Sequence, residues 1–330
     1  MKKIQWGIIG CGNVTEVKSG PAFNKVKDSA LVAVMRRNGE KAADYARRHG
    51  VPKWYDDAQQ VIDDPEVNAI YVATPPESHE AYTLRAFKAG KPVYVEKPMS
   101  TDSASARRML QASIDTGMKL CVAHYRKAQP RFKKVKALLE DKAIGDIRMI
   151  ALQLVQPPAS SLIAVTDENW RVNPAISGGG LFHDLSPHQL DLLQYLFGKH
   201  VQAKGFARNQ AGLYPADDLV MGNIIFSNGA VCNGSWCFTG AENEAQDNIS
   251  IIGSEGTISF ATFSTNHITV SKKGEEQVIR FDELPHVQQP MIEEVVKYFL
   301  GQGANPSAAE SAVATMEVID AFTKDKGAGR

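Results

Sequence analysis

A carboxylate and an imidazole stand one helical turn apart at Asp184 and His188. They lie in the run Gly178-Gly179-Gly180-Leu181-Phe182-His183-Asp184-Leu185-Ser186-Pro187-His188. On a continuous helix Asp184, His188 and Asp191 share one face. Ser186-Pro187 also reads as a helix start with proline in the first turn, which would leave Asp184 just ahead of the cap. Either way the two groups are near neighbours. Histidine titrates close to neutral pH, so an imidazole oriented by a carboxylate suits proton exchange with a hydroxyl. A metal site of His183, Asp184 and His188 is a weaker use of these residues, and no metal is expected. Earlier in the chain, Glu96-Lys97-Pro98 closes an apolar run. A lysine at the carboxyl end of a parallel strand lies where open α/β sheets bind ligands, although position alone suits a surface lysine equally.

Gly10-Cys11-Gly12-Asn13-Val14-Thr15 follows the first apolar run directly. Such a turn lets the backbone approach a pyrophosphate, whose charge sits on the N–H groups opening the next helix. Gly10, Gly12, Asn13 and Val14 are the expected contacts. The third glycine of G-x-G-x-x-G is absent, with Thr15 in its place. An ordinary tight turn is the competing reading, and the position after the first strand of a strand–helix–strand pattern favours the nucleotide. The next strand ends in Met35-Arg36-Arg37-Asn38. An NAD site usually presents an acid there to the ribose 2′-OH, and none is present. Arg36 and Arg37 instead suit a 2′-phosphate through paired, charge-assisted bonds. NADP is the expected cofactor, with NAD the alternative. A further strand ends in Thr74-Pro75-Pro76-Glu77-Ser78-His79, whose prolines stiffen a loop facing the same crevice. Thr74, Pro75 and His79 are candidate contacts.

These residues need a frame. The first part of the chain alternates continuous apolar runs with helical periods. Ile4–Ile9, Ala30–Met35, Ala69–Ala73, Pro92–Val95 and Leu120–Ala123 read as strands buried on both faces. Gly39–His49, Ser78–Ala89 and Asp102–Thr116 read as helices, each followed by a glycine or ending at one. Strand and helix in alternation predict a doubly wound parallel sheet, an α/β fold. Past Tyr125 the pattern changes. A helix over Pro130–Asp141 leads to a strand at Ile147–Val155, a proline-bearing loop and a series of strands at tight turns. These strands are Leu219–Phe226, Ala230–Phe238, Ile249–Gly253, Thr257–Phe263, His267–Ser271 and Gln277–Phe281. The stripe Met291, Ile292, Val295, Val296, Phe299 marks a helix, and Ser307 with Glu310 reads as a capping box for the last one. This half is α+β with an open, mostly antiparallel sheet.

Composition narrows the functions. The 330 residues carry 37 basic and 37 acidic side chains, so no net field draws nucleic acid or an anionic membrane. No apolar run approaches the ~20 residues of a membrane span. The N-terminus enters a strand at once without a cleavage-site pattern, which predicts a chain without a secretion leader. Cys11, Cys121, Cys232 and Cys237 are too few and too scattered for a disulfide framework or a zinc site. A cytoplasmic location is expected.

The glycine turn, Thr74-Pro75-Pro76…His79, Glu96-Lys97-Pro98, Trp170-Arg171 and the Gly-Gly-Gly…Asp184…His188 block together resemble the Gfo/Idh/MocA oxidoreductases, which include glucose–fructose oxidoreductase and inositol dehydrogenase. The resemblance covers nearly the whole chain. It implies an N-terminal NAD(P)-binding Rossmann domain, residues 1–124, and a C-terminal α/β domain, residues 125–330, for substrate and subunit contacts. It implies that Lys97, Asp184 and His188 match the catalytic positions, and it counts Glu96 and Lys97 among the cofactor contacts. Trp170 and Arg171 match a segment that reaches toward the cofactor in some members. Thr15 and Ser186-Pro187 depart from the family pattern.

The implied reaction moves hydride between nicotinamide and a CH–OH or C=O group of a sugar, polyol or related small molecule. His188 would exchange the hydroxyl proton, Asp184 orient its ring, and Lys97 hold the same oxygen or pass the proton on. Tyr125 and Arg126, just past the last strand of the first half, are candidate substrate contacts. Two other uses of the scaffold are a cofactor-retaining, glycoside-cleaving enzyme and a non-catalytic NADP-binding sensor. The presence of both lysine and histidine argues against the sensor. Both faces of Leu219–Phe226 are mainly apolar, which predicts a homo-oligomer built through the C-terminal sheet.

Overall fold

The computed structural model describes residues 2–163 and 169–324. They form two compact units, one running through residue 128 together with 284–313, the other spanning 129–283 together with the chain from 314 on. A single cut at 124/125 assigns 284–313 to the second domain, whereas here that segment belongs to the first unit. Hydrophobic burial draws it there. Met291, Ile292, Val295, Val296 and Phe299, on the helix Gln289–Phe299, share a core with Trp6, Phe23, Tyr71 and Tyr94. Each such buried side chain contributes roughly 1.5–3 kcal/mol.

The first unit holds six strands: β1 Ile4–Ile9, β2 Ser29–Met35, β3 Lys53–Tyr55, β4 Ala69–Val72, β5 Val93–Val95 and β6 Leu120–Val122. All pairs are parallel, in the order β3-β2-β1-β4-β5-β6. Strand order reverses at β1, so the β1 and β4 ends open onto the crevice where such sheets bind ligands. The expected helices are present with their caps. Asn38 accepts from Lys41 N at the start of Gly39–His49, and Asp102 from Ser105 N at the start of Ser103–Thr116. Gly50 and Gly117 end these helices in the left-handed region.

The second unit is an eight-stranded sheet. Its strands are β7 Ile147–Val155, β8 His200–Arg208, β9 Leu219–Phe226, β10 Val231–Cys237, β11 Gln246–Gly253, β12 Gly256–Phe260, β13 His267–Lys272 and β14 Glu275–Arg280. The order is β14-β13-β12-β11-β7-β10-β9-β8, with β7 and β10 parallel and the other pairs antiparallel. The helix Leu181–Phe197 lies on one face, where Trp236 Nε1 donates to Gln189 Oε1 at 2.7 Å. Gly205 and Gly222 are cross-strand partners beneath Phe322, whose ring would meet a Cβ on either glycine at 2.5–2.7 Å. On the other face Phe206, Val231, Met149, Ile252 and Val278 stay exposed. Along β9, Val220, Gly222, Ile224 and Phe226 are buried while Asn223 is open. Among the described residues no helix is long and apolar enough to cross a membrane.

Candidate active site

Gly10 follows β1 with φ +97°, and its N–H and that of Cys11 both donate to Met35 O at 2.9 Å. A Cβ on Gly10 would strike Thr74 and the Ala73 backbone within 2.9 Å, so the turn closes against the end of β4 only with glycine there. At Gly12 a Cβ would meet nothing closer than Gly10 O at 3.9 Å. The room that a side chain would fill there is the room a dinucleotide phosphate needs. Thr15 is fully buried, with its hydroxyl donating to Gly12 O at 2.8 Å and its carbonyl accepting from Tyr45 OH at 2.8 Å. The missing third glycine is thus replaced by a hydrogen-bonded side chain inside the turn.

Arg36 is half-buried and Arg37 exposed at the end of β2. Burial pushes the Cys11 thiol up to about 11, with the Arg36 charge the largest influence opposing it. Arg36 follows Met35, whose carbonyl accepts from Gly10 and Cys11, so its backbone adjoins the glycine turn.

Past β4, Ser78 Oγ lies 2.7 Å from Thr74 Oγ1 and 2.9 Å from Pro75 O. His79 is fully buried, with its two ring nitrogens 2.8 Å from Thr74 O and 3.0 Å from Pro98 O. Burial lowers its pKa, against the Thr74 and Pro98 carbonyls, which raise it. His79, expected as a cofactor contact, sits as a brace between two ligand-side loops.

Glu96 is buried as well. Tyr71 OH donates to its Oε1 at 2.5 Å and Gln288 Nε2 donates to the same oxygen at 2.6 Å, while Lys97 N–H reaches Oε2 at 3.1 Å. Tyr94 OH donates to Gln288 Oε1 at 3.1 Å. Burial and the adjacent carboxylate raise the Tyr71 phenol well above its ordinary range, so it stays a donor. Between Pro92 and Ser100 only Lys97 is not buried. The network holds the carboxylate, and Lys97 beside it is half-buried. Gln288 has no signal in any local motif, since 192 residues separate it from Glu96.

Tyr125 is 4% exposed within the first unit's core, and the Arg126 guanidinium lies 5.6 Å over its ring.

In the second unit, Leu181–Phe197 is one helix with Pro187 inside it. The alternative start at Ser186-Pro187 is not used. Gly180 forms the cap, and Ser177 Oγ accepts its N–H at 2.8 Å. Asp184, His188 and Asp191 therefore share one helical face. His188 is 5% exposed, and its ring stands 5.6 Å from Phe263 at 75°. Arg171 Nε donates to Asp184 Oδ2 at 3.1 Å, with both side chains largely buried, and its guanidinium lies 4.4 Å over Trp170. Arg171, expected at the cofactor, thus binds the carboxylate. His183 points into the packing beside Gly179 and Phe182, where burial lowers its pKa to about 4. Among the described residues no three His, Cys, Asp or Glu side chains form a metal-binding group.

Comparison with known proteins decides the lineage. Residues 4–124 match the model of the GFO/IDH/MocA oxidoreductase family with NAD-binding Rossmann fold, and residues 132–259 match the family's C-terminal domain. An oxidoreductase of Formosa agariphila is 45% identical over 320 residues, 97% of this chain and 98% of that protein. The chain belongs to the GFO/IDH/MocA oxidoreductase family. Two further matches have lower identity. The 1,5-anhydro-D-fructose reductase of Ensifer adhaerens is 26% identical over 77% of this chain and 74% of its own length. A levoglucosan dehydrogenase solved with NADH superimposes with a TM-score of 0.86 over 97% of this chain and 96% of that one, at 22% identity, a likeness of fold. As a GFO/IDH/MocA oxidoreductase the chain is an NAD(P)-dependent enzyme. The room left at Gly12, beside the turn that Gly10 closes on Thr74, would fit a nucleotide phosphate.

Proposed function

We propose that this oxidoreductase prefers NADP(H) and interconverts a CH–OH group and a carbonyl on a sugar or polyol. The observation that carries the reading is His188 held on a buried helical turn, one turn from Asp184, whose carboxylate is fixed by Arg171. The nicotinamide, when bound, takes or gives the hydride. His188 exchanges the hydroxyl proton, Asp184 fixes the ring, and Lys97, next to the buried Glu96, holds the same oxygen or passes the proton on. The substrate class is supported by relatives named for 1,5-anhydro-D-fructose and myo-inositol, and by a neighbouring structure with levoglucosan. The NADP preference is supported by Arg36 and Arg37 at the end of β2, where no acid stands. Three buried cysteines and half-buried Cys237, none in a disulfide among the described residues, support a reducing, cytoplasmic compartment.

We further propose a homo-oligomer through the open sheet face. Ile225 pairs with Val231, and Met149 with Ile252, on neighbouring strands β9, β10, β7 and β11. This is a continuous apolar row, of the kind that self-association buries. The test of the activity is a screen of sugars and polyols with NADP(H) and NAD(H), following the absorbance of the reduced nicotinamide. Turnover of a sugar or polyol is expected; none with either cofactor overturns the reading.

A further inference from the structure

We infer that Phe263 is a substrate-contacting residue that selects a cyclic polyol or pyranose over an open-chain one. The inference rests on the proposed sugar or polyol activity and deepens it. Its starting point is an irregular turn whose backbone is fixed from two sides. Thr262, Phe263 and Ser264 follow β12, and all three backbone N–H groups donate to the carboxylate of Asp247. Thr262 N reaches Oδ1 at 2.9 Å, and Phe263 N and Ser264 N reach Oδ2 at 2.6 and 2.8 Å. From the other side, buried Arg131 donates through Nη2 to Thr262 O at 3.2 Å while its guanidinium stacks 4.5 Å over Phe132. Charge-assisted bonds of this kind are about twice as strong as neutral ones, and together they determine the backbone of a turn without secondary structure.

What the turn delivers is one ring. Phe260, Ala261 and Thr262 are 3%, 6% and 0% exposed, yet Phe263 is only half-buried. Its ring stands 5.6 Å from the His188 imidazole, nearly perpendicular to it. An aromatic ring partly open to solvent beside a proton-transferring histidine is a platform for an apolar ligand surface. Among polyhydroxylated molecules, cyclic ones present such a surface as a flat face of C–H groups. An open chain spreads its C–H bonds among its hydroxyls and offers no flat face. Phe263 moves no proton and carries no charge. Its contribution is uniform binding, which appears in KM and leaves kcat in place. Asp247 is a positioning residue, because it reaches the substrate only through the turn it holds.

The experiment compares wild type, Phe263→Leu, Phe263→Tyr and Asp247→Ala with myo-inositol and levoglucosan as cyclic probes and sorbitol as the open-chain probe. Phe263→Leu should raise KM for whichever cyclic probes are turned over by ~10-fold, with kcat within ~3-fold and cofactor affinity unchanged. Phe263→Tyr should restore the wild-type KM, and Asp247→Ala should follow Phe263→Leu. KM for sorbitol should stay within ~2-fold throughout. Wild-type turnover with an unchanged KM in Phe263→Leu, or equal losses on cyclic and open-chain probes, overturns the inference alone. Absence of wild-type turnover with every probe overturns the proposed activity and this inference with it.

Discussion

At the scale of single residues, the two arginines after β2 and the arginine on Asp184 make opposite predictions about the cofactor. A charge-assisted arginine–phosphate contact contributes roughly 1.5–3 kcal/mol, so replacing Arg36 and Arg37 by alanine should weaken NADP(H) at least tenfold. NAD(H) should be nearly unaffected, and a fluorescence titration of both cofactors checks it. Arg171 behaves differently. The family resemblance points it at the cofactor, while its Nε lies on Asp184. Arg171→Ala should therefore lower kcat by roughly 10- to 100-fold and leave NADP(H) affinity within ~3-fold. A loss confined to cofactor affinity would return Arg171 to the nucleotide. His79 and Glu96 teach the same lesson. Their residue types and strand-end positions suggest ligand contacts, but both side chains are buried, whereas Lys97, next in the chain after Glu96, is half-buried.

Among elements, the helix Leu181–Phe197 carries both the acid–base pair and a buried neutral histidine. Folding depresses the His183 pKa from 6.5 to about 4. The unfolded chain therefore takes up a proton first as pH falls below 6.5. The stability linked to His183, roughly 3 kcal/mol, is fully present above that pH and is lost by about pH 4. Urea midpoints at pH 7 and pH 4.5 should show the fall, and His183→Gln should flatten it. An equal fall in the variant would assign the effect elsewhere. The elements legible in the sequence were those with strong periods. β1, β7 and β9 match their expected limits, as does Gly39–His49, because long apolar runs and capping residues dominate there. β3 is three residues of a half-exposed edge, and β8 turns Ala203, Gly205 and Ala207 inward, so neither carries an apolar signal. The capping box at Ser307 does not form. The last helix begins at Ala309, and Ser307 instead lends its carbonyl to Val122 N beside β6. The pairing of Gln288 with Glu96 was not readable either, because a contact across 192 residues depends on which core the returning helix joins.

For the molecule as a whole, the open face of the eight-stranded sheet makes the clearest demand. Met149, Val231 and Ile252 are 46%, 45% and 37% exposed, an apolar row that a lone chain would leave in water. Light scattering at micromolar concentration should give a multiple of 36.0 kDa for the wild type and 36.0 kDa for Val231→Lys. A wild-type mass of 36.0 kDa would refute the oligomer. The central claim is that a nicotinamide oxidoreductase acts on a sugar or polyol with Lys97 and His188 handling the hydroxyl. The measurement that tests it most directly is the initial rate with NADP⁺ across cyclic and open-chain sugars and polyols, for wild type, Lys97→Ala and His188→Ala. Wild-type turnover is predicted, falling at least ~100-fold in each variant while both still bind NADP(H). Near-normal turnover by His188→Ala would contradict the account.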